Sequence, residues 1–309
     1  KSQKKAAKAP DGVKEREDEL QIADGKKLSG RLTTPAEGKS FPLVILLAGS
    51  GPNDMDETIY DNKPFQDIAW GLAKKGIASY RYDKRTYTYP ESFTVKDTVE
   101  QEVIFDAVAA FSQMKQQKQI DTNKIYILGH SLSGYLIPRI AAETDGCAGY
   151  IMMAAPARAL DELLMEQVTY LAKLDGNLTK DEQAAIDQYK QDQQDLQRID
   201  ELSDAKIFFG GMSKAYMKDL LSYDAVQQAA DIKVPVLCAQ GLRDYQVTEE
   251  DQAIWRKNFE THKNWKFTTY PNATHLMIDG EGTPTNEEYK TKGHVNQAFI
   301  EDMASFIKK

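Results

Sequence analysis

Residues 41–48, Phe-Pro-Leu-Val-Ile-Leu-Leu-Ala, are apolar almost without interruption. A strand with one wet face alternates apolar and polar residues, whereas a strand covered on both faces does not. The run therefore predicts an interior strand of a parallel sheet. Further strands are predicted at 77–82, 124–128, 149–155, 234–240 and 265–270. Between them the apolar period changes to a helical one. Residues 64–75 read as a helix closing on Lys74-Lys75-Gly76, and 97–117 set Val103, Ile104, Ala107, Val108 and Phe111 on one face. Leu136, Ile137, Ile140 and Ala141 mark another helix, Thr248 caps one running through Ala253 and Trp255, and the last covers 294–308. Nearer the start, short strands at 20–23 and 28–32 flank Asp24-Gly25, a hairpin signal. Strand–helix units repeated in this way imply right-handed crossovers and a mostly parallel, eight-stranded sheet with helices on both faces.

The alternation stops between residues 157 and 228. That stretch is dominated by helix formers, is rich in Gln and Asp, and contains the capping box Thr179-Lys180-Asp181-Glu182. It reads as a helical cap inserted into a core made of 18–156 and 229–309. Residues 1–17 are polar and rich in Lys and Ala, with Pro10 and Gly12 as punctuation, and read as a flexible tail or linker.

Composition narrows the partners. The 309 residues carry 39 Lys and Arg against 47 Asp and Glu, a balance of −8. Four of the lysines lie in the first ten residues, so the body has 35 basic against 47 acidic side chains, or −12. An acidic body argues against nucleic acid or an anionic membrane as partner. No apolar run reaches the ~20 residues a membrane helix requires. Cys147 and Cys238 fall at different heights of the predicted sheet and read as buried free thiols. The chain opens on Lys, as expected either of an exported protein freed of its signal peptide or of a trimmed cytoplasmic one, so the compartment stays open.

The chemistry centres on Gly129-His130-Ser131-Leu132-Ser133-Gly134, which joins a buried strand to a helix. A serine on such a tight turn is exposed at the carboxyl edge of the sheet, beside the free N–H groups of a helix start. A serine hydroxyl needs a base to take its proton, and the base needs an acid to orient it. Of the four histidines, His262 lies in a polar turn, His294 precedes the last helix, and His130 adjoins the serine on a turn where neighbours usually point apart. His275 follows the last strand and Asp244 ends the one before it. Ser131, Asp244 and His275 thus fall on successive loops of one sheet edge, in the order nucleophile, acid, base. Ser133 is a rival nucleophile, although Gly129 is spaced for Ser131. The two oxyanion donors are expected to be the backbone N–H groups of Leu132 and of Ser50, which Gly49 and Gly51 flank.

These pieces resemble the α/β-hydrolase superfamily, and within it the bacterial serine esterases with a Gly-Ser-Gly-Pro oxyanion loop. The matching segments are Gly49-Ser50-Gly51-Pro52-Asn53, Arg81-Tyr82-Asp83-Lys84-Arg85, the Gly129–Gly134 turn, Gly241-Leu242-Arg243-Asp244 and Asn272-Ala273-Thr274-His275. They occur in family order across residues 18–309, while the tail and the cap carry no specific match. The resemblance implies the same roles for Ser131, Asp244 and His275, and a supporting charge cluster for Asp83, Lys84 and Arg85. One departure stands out: the usual elbow is Gly-x-Ser-x-Gly, and Ser133 occupies its second glycine position.

The expected activity is hydrolysis of a small-molecule carboxylic ester through an acyl-enzyme, with no metal or organic cofactor. Small to medium acyl groups or aromatic ones are expected, and the resemblance adds cinnamoyl or feruloyl esters. The same triad serves peptidases and thioesterases, and a catalytically silent binding protein would share the fold. No obvious acidic pair is presented to grip a peptide amine, and Asp161 and Glu162 of the cap are the remaining candidates for it. Phe208, Phe209, Met212 and Tyr216 of the cap, with Met152, Met153 and Tyr245, are candidates to line an apolar pocket; packing within the cap is the competing role. The oligomeric state has no signature in the sequence.

Overall fold

The computed structural model describes residues 6–309. Residues 1–5, the start of the expected tail, lie outside the described residues. Eight strands form the main sheet: β1 (Val13–Glu17), β2 (Gly30–Pro35), β3 (Phe41–Leu47), β4 (Ala78–Tyr82), β5 (Ile120–His130), β6 (Gly149–Met153), β7 (Val236–Gly241) and β8 (Trp265–Tyr270). Their order across the sheet is β1-β2-β4-β3-β5-β6-β7-β8. The first two junctions are antiparallel, and every pairing from β4 to β8 is parallel.

The uninterrupted apolar runs have the expected cause. In β3, Leu43, Ile45 and Leu47 enter one hydrophobic layer, and Val44 and Leu46, with Ala48 just beyond the strand, enter the other. Both faces are therefore covered, as the period-2 geometry of a strand requires. One layer is closed by Phe65, Ile68 and Leu72 of helix Pro64–Ala73 and by Phe299 and Met303 of helix Gln297–Lys308. The opposite layer holds Ala107 and Phe111 of helix Phe105–Met114, Ile137 and Ile140 after the serine turn, and Trp255. Cys147 and Cys238 are free and buried, and burial pushes their thiols up to about 11 and about 12, so neither carries a reactive thiolate at neutral pH.

Three features differ from expectation. The tail read over 1–17 is shorter, because Val13–Glu17 pairs antiparallel with β2 from Val13↔Pro35 to Glu17↔Arg31. This strand is mostly charged, which hides it from an apolar-pattern search. The ladder holds it together with Glu15, which bonds the buried Arg81, and Glu17, which bonds Arg31. A charged edge strand also protects the sheet from pairing with a second chain. Second, the hairpin around Asp24-Gly25 is a separate two-stranded unit, Leu20–Gln21 against Lys27–Leu28, closed by a turn in which Asp24 is left-handed (φ 63°). Third, the helix expected over 97–117 begins with a π-helical turn, Glu100–Ile104, before its α-helical part.

Between β6 and β7 the chain leaves the sheet. Helices Leu160–Lys173 and Lys180–Leu196 come first, the second capped by Thr179 and Glu182 as expected. A small hairpin, Ile207–Phe208 against Met212–Ser213, leads into helix Lys214–Leu221. No helix among the described residues is long and apolar enough to cross a membrane.

Candidate active site

β5 ends at His130, and Ser131 turns the chain into the helical turn Leu132–Tyr135. Ser131 has φ 55° and ψ −117°, a strained conformation for a residue with a side chain. Its N–H is held by the carbonyl of Met153 on the neighbouring strand at 2.9 Å. The turn closes because its glycines leave room: a Cβ on Gly129 would lie 2.4 Å from the Ser133 carbonyl oxygen, and one on Gly134 would lie 2.7 Å from the Ala155 Cβ. Ser133, which replaces the second glycine of the usual pattern, is fully buried and donates its hydroxyl to the Ala48 carbonyl at 2.5 Å. It thus ties the elbow to the end of β3 and is neither exposed nor unbonded.

Asp244 and His275 follow β7 and β8. His275 Nδ1 lies 2.6 Å from Asp244 Oδ2. The other carboxylate oxygen accepts the N–H groups of Gln246 (2.8 Å) and Val247 (3.0 Å), so the acid is anchored by its own turn. The Asp244 side chain is completely buried and that of His275 is 7% exposed. This leaves Nε2 as the ring nitrogen available for proton transfer. Among the described residues neither His275 Nε2 nor Ser131 Oγ takes part in a hydrogen bond. Such contacts tighten when substrate binds.

The Gly49–Gly51 loop is gripped from one side. Lys84 Nζ donates to the carbonyls of Gly49 and Gly51, both at 2.8 Å, and Asn53 Nδ2 donates to those of Gly49 and Ser50 at 3.1 and 3.0 Å. The Gly49 N–H goes to Glu57 Oε2 at 2.9 Å. With its carbonyls held, the loop leaves the Ser50 N–H without an acceptor among the described residues. Leu132 opens a helix, so its N–H has no intrahelical partner. Gly49 itself presses on the serine: a Cβ there would stand 3.2 Å from Ser131 Cβ and 3.4 Å from the His130 carbonyl. Gly49→Ala is expected to fold with an unchanged melting temperature but to lower kcat about tenfold, because displacements of a fraction of an ångström at the reacting centre are costly. A kcat equal to wild type would show that the loop does not bear on Ser131.

Two residues behind the serine carried no functional signal in the sequence. His130 is buried, and its ring lies against that of His275, tilted by 39° with the centroids 4.7 Å apart. Its Nδ1 stands 2.6 Å from Glu57 Oε1, but neither atom satisfies hydrogen-bond geometry, so we regard the attraction as ionic. Burial lowers the His130 pKa, yet the Glu57 charge and the His275 carbonyl, 2.8 Å from Nε2, outweigh it and the net shift is upward. The His275 carbonyl can only accept, so His130 Nε2 carries a hydrogen and donates to it. Asp83 accepts the Met55 N–H at 2.7 Å, and burial raises its carboxyl to about 6. Arg85 forms a two-pronged pair with Asp106. His294 is exposed and pairs with Asp67.

The expected pocket residues scatter. A cavity of about 500 Å³ opens at Ser50, Gly51 and Pro52 and runs between the 86–95 segment and the 207–213 hairpin. Met212 and Tyr216 line it, together with Pro90, Phe93, Val95 and Ile207. Met152 and Met153 do not: they are fully buried in opposite layers of the sheet, as alternate residues of an interior strand must be. Phe208 and Phe209 pack inward as core of the inserted segment. Tyr245 is stacked between Tyr170 and Tyr289. Ser131 and His275 do not themselves line the cavity, so Ser50 is its link to the candidate chemistry. No cluster of metal-ligating side chains occurs among the described residues.

Known proteins with this pattern can now be set beside it. Residues 62–282 match the family model Hydrolase_4, described as serine aminopeptidase, S33. The chain is 41% identical over 284 residues to esterase EstD of Thermotoga maritima, a match covering 91% of this chain and 66% of that protein. The chain thus spans slightly less than two thirds of that relative. Among solved structures, Est1E of Butyrivibrio proteoclasticus superposes with a TM-score of 0.61 at 18% identity, covering 95% of this chain and 99% of its own. The Pyrococcus furiosus esterase Pf2001 gives 0.59 at 17%, covering 96% and 91%. At those identities the superpositions speak for the α/β-hydrolase fold alone. The family match spans more than half of the chain, including Ser131, Asp244 and His275, and on that ground the protein belongs to the Hydrolase_4 (serine aminopeptidase, S33) family of α/β-hydrolases.

Proposed function

We propose that the chain is a serine esterase in which Ser131 is the nucleophile, His275 the base and Asp244 the acid. The observation that carries the proposal is the 2.6 Å contact between His275 and a fully buried, doubly anchored Asp244, on the same sheet edge as the strained Ser131 turn. His275 Nε2 takes the Ser131 proton as Oγ attacks the ester carbonyl. The tetrahedral oxyanion is met by the N–H groups of Leu132 and Ser50. Collapse expels the alcohol, which leaves with the proton from His275. Water, deprotonated by the same nitrogen, then attacks the acyl-enzyme and frees Ser131.

In this reading residues 13–156 and 229–309 are the catalytic core and 157–228 is a cap that walls the cavity. Its Pro, Phe, Val, Ile and Met side chains suit an uncharged aliphatic or aromatic group. Est1E has been solved with ferulic acid bound, which favours trying aromatic acyl esters on this chain as well. The peptidase alternative draws on the family description, but an aminopeptidase must pair the substrate's ammonium with a free carboxylate. The carboxylate lining the cavity is Glu102, and it is already held by Lys84 and Tyr216. Asp161 bonds Gln193, and neither it nor Glu162 lines the cavity.

A fluorophosphonate probe tests the assignment. Labelling of the folded protein, mapped by peptide mass spectrometry to Ser131, is the expected result. Labelling at Ser133, or none, would sink it. Rates on ethyl butyrate, methyl ferulate and an aminoacyl-anilide then rank the acyl classes, with the anilide expected to be the poorest.

A further inference from the structure

Three buried side chains connect the inserted segment to the oxyanion loop, and the ester-hydrolysis scheme does not use them. Tyr216 lies in the first turn of helix Lys214–Leu221, its N–H capped by Ser213 Oγ at 3.1 Å. Its hydroxyl donates to Glu102 Oε1 at 2.8 Å. Glu102 Oε2 accepts from Lys84 Nζ at 2.5 Å, and the remaining two hydrogens of that ammonium go to the carbonyls of Gly49 and Gly51. Tyr216, Glu102 and Lys84 are each less than a tenth exposed. Each polar hydrogen in the chain has one acceptor, so no link can be moved without unseating the next.

The local backbone at Glu102 is also unusual. It sits within the π-helical turn Glu100–Ile104, and such turns are rare and frequent at functional sites. The wide turn puts Glu102 on the cavity wall between the cap helix and Lys84, instead of leaving it on the solvent side of an amphipathic helix.

We propose that Tyr216, Glu102 and Lys84 are positioning residues that hold the Gly49–Gly51 loop in its oxyanion-binding geometry, so that the site is competent only while the inserted segment is seated on the core. The inference rests on the esterase reading above. It adds that the segment between β6 and β7 acts on the rate of the chemical step and not only on which substrates enter. Burial keeps the Tyr216 hydroxyl protonated far above its ordinary range, with the Glu102 charge acting in the same sense, so this link does not titrate near neutrality.

The test compares wild type with Tyr216→Phe, which removes one oxygen, and with Glu102→Gln, alone and combined. Ester hydrolysis gives kcat and KM. An aryl trifluoromethyl ketone, whose adduct with Ser131 carries an oxyanion, reads the donor geometry directly. Tyr216→Phe is expected to lower kcat about tenfold with KM within about twofold, and to weaken the ketone in the same proportion as kcat/KM falls. The double variant should be no worse than the worse single one, since both break one chain. A wild-type kcat in Tyr216→Phe, a rise in KM alone, or losses that multiply in the double variant would overturn the relay. If Glu102→Gln does not fold, the kcat–KM split and the ketone affinity of Tyr216→Phe decide by themselves. An active wild type with an unaffected Tyr216→Phe sinks the relay alone; a folded wild type that turns over no ester sinks the esterase reading with it.

Discussion

His275→Ala is expected to lower kcat on an ethyl ester by a factor on the order of 10⁶, and Asp244→Asn by about 10⁴. An ethyl ester is the informative substrate because ethoxide is a poor leaving group and must be protonated as it departs. Both halves of the reaction then depend on Nε2 of His275. Asp244 acts through Nδ1, 2.6 Å away, by fixing the tautomer that presents an unprotonated Nε2 to the serine. An asparagine at 244 can still accept, through its carbonyl oxygen, from the Gln246 and Val247 N–H groups that in the native protein donate to Asp244 Oδ1. It then turns its NH₂ toward His275, which favours the wrong tautomer. The fold should therefore survive while the rate collapses. Acid release at constant pH, with the melting temperature as a check on folding, measures both. A loss of only a few-fold in Asp244→Asn would mean that another group orients His275, and the assignment of the acid would be wrong.

The parts of the site legible in the sequence are those whose chemistry is tied to a strand end. Ser131, Asp244 and His275 each follow an apolar run that could hardly be anything but an interior strand, so the topology alone brings their loops to one edge. The departure from the usual elbow at Ser133 has a local explanation in its bond to Ala48. Residues whose role depends on where a loop folds back were not legible. Glu57 is one acid in a polar stretch, and only its left-handed backbone (φ 52°) and buried contacts with Gly49 and His130 set it apart. β1 was missed for a related reason: its stability comes from a hydrogen-bond ladder and from Glu15–Arg81, neither of which leaves an apolar pattern. Met152, Met153 and Tyr245 were placed near the pocket by proximity in sequence to the site, but strand alternation and aromatic stacking turn them into the core.

The largest effect on stability is expected at the His130–Glu57 pair, and it should depend on pH. His130 is fully buried, between the edge of Phe65 and the ring of His275, so its charge has no water to fall back on. Its pKa in the folded protein is raised above the ordinary 6.5. A raised pKa means that the native state binds the proton more tightly than the unfolded chain does. The resulting stabilisation is fully present below the unfolded value of 6.5 and is lost as pH climbs through the folded value. His130→Gln should therefore destabilise the protein by about 3 kcal/mol near pH 6, because it leaves Glu57 buried without its counter-charge. The gap to wild type should narrow as pH rises through the folded pKa of His130, where wild type loses the same proton and gains the same unpaired acid. Urea midpoints of both proteins across that range give the comparison. A gap that does not change with pH would show that His130 is neutral in the native state and supports His275 by its ring and its hydrogen bond alone.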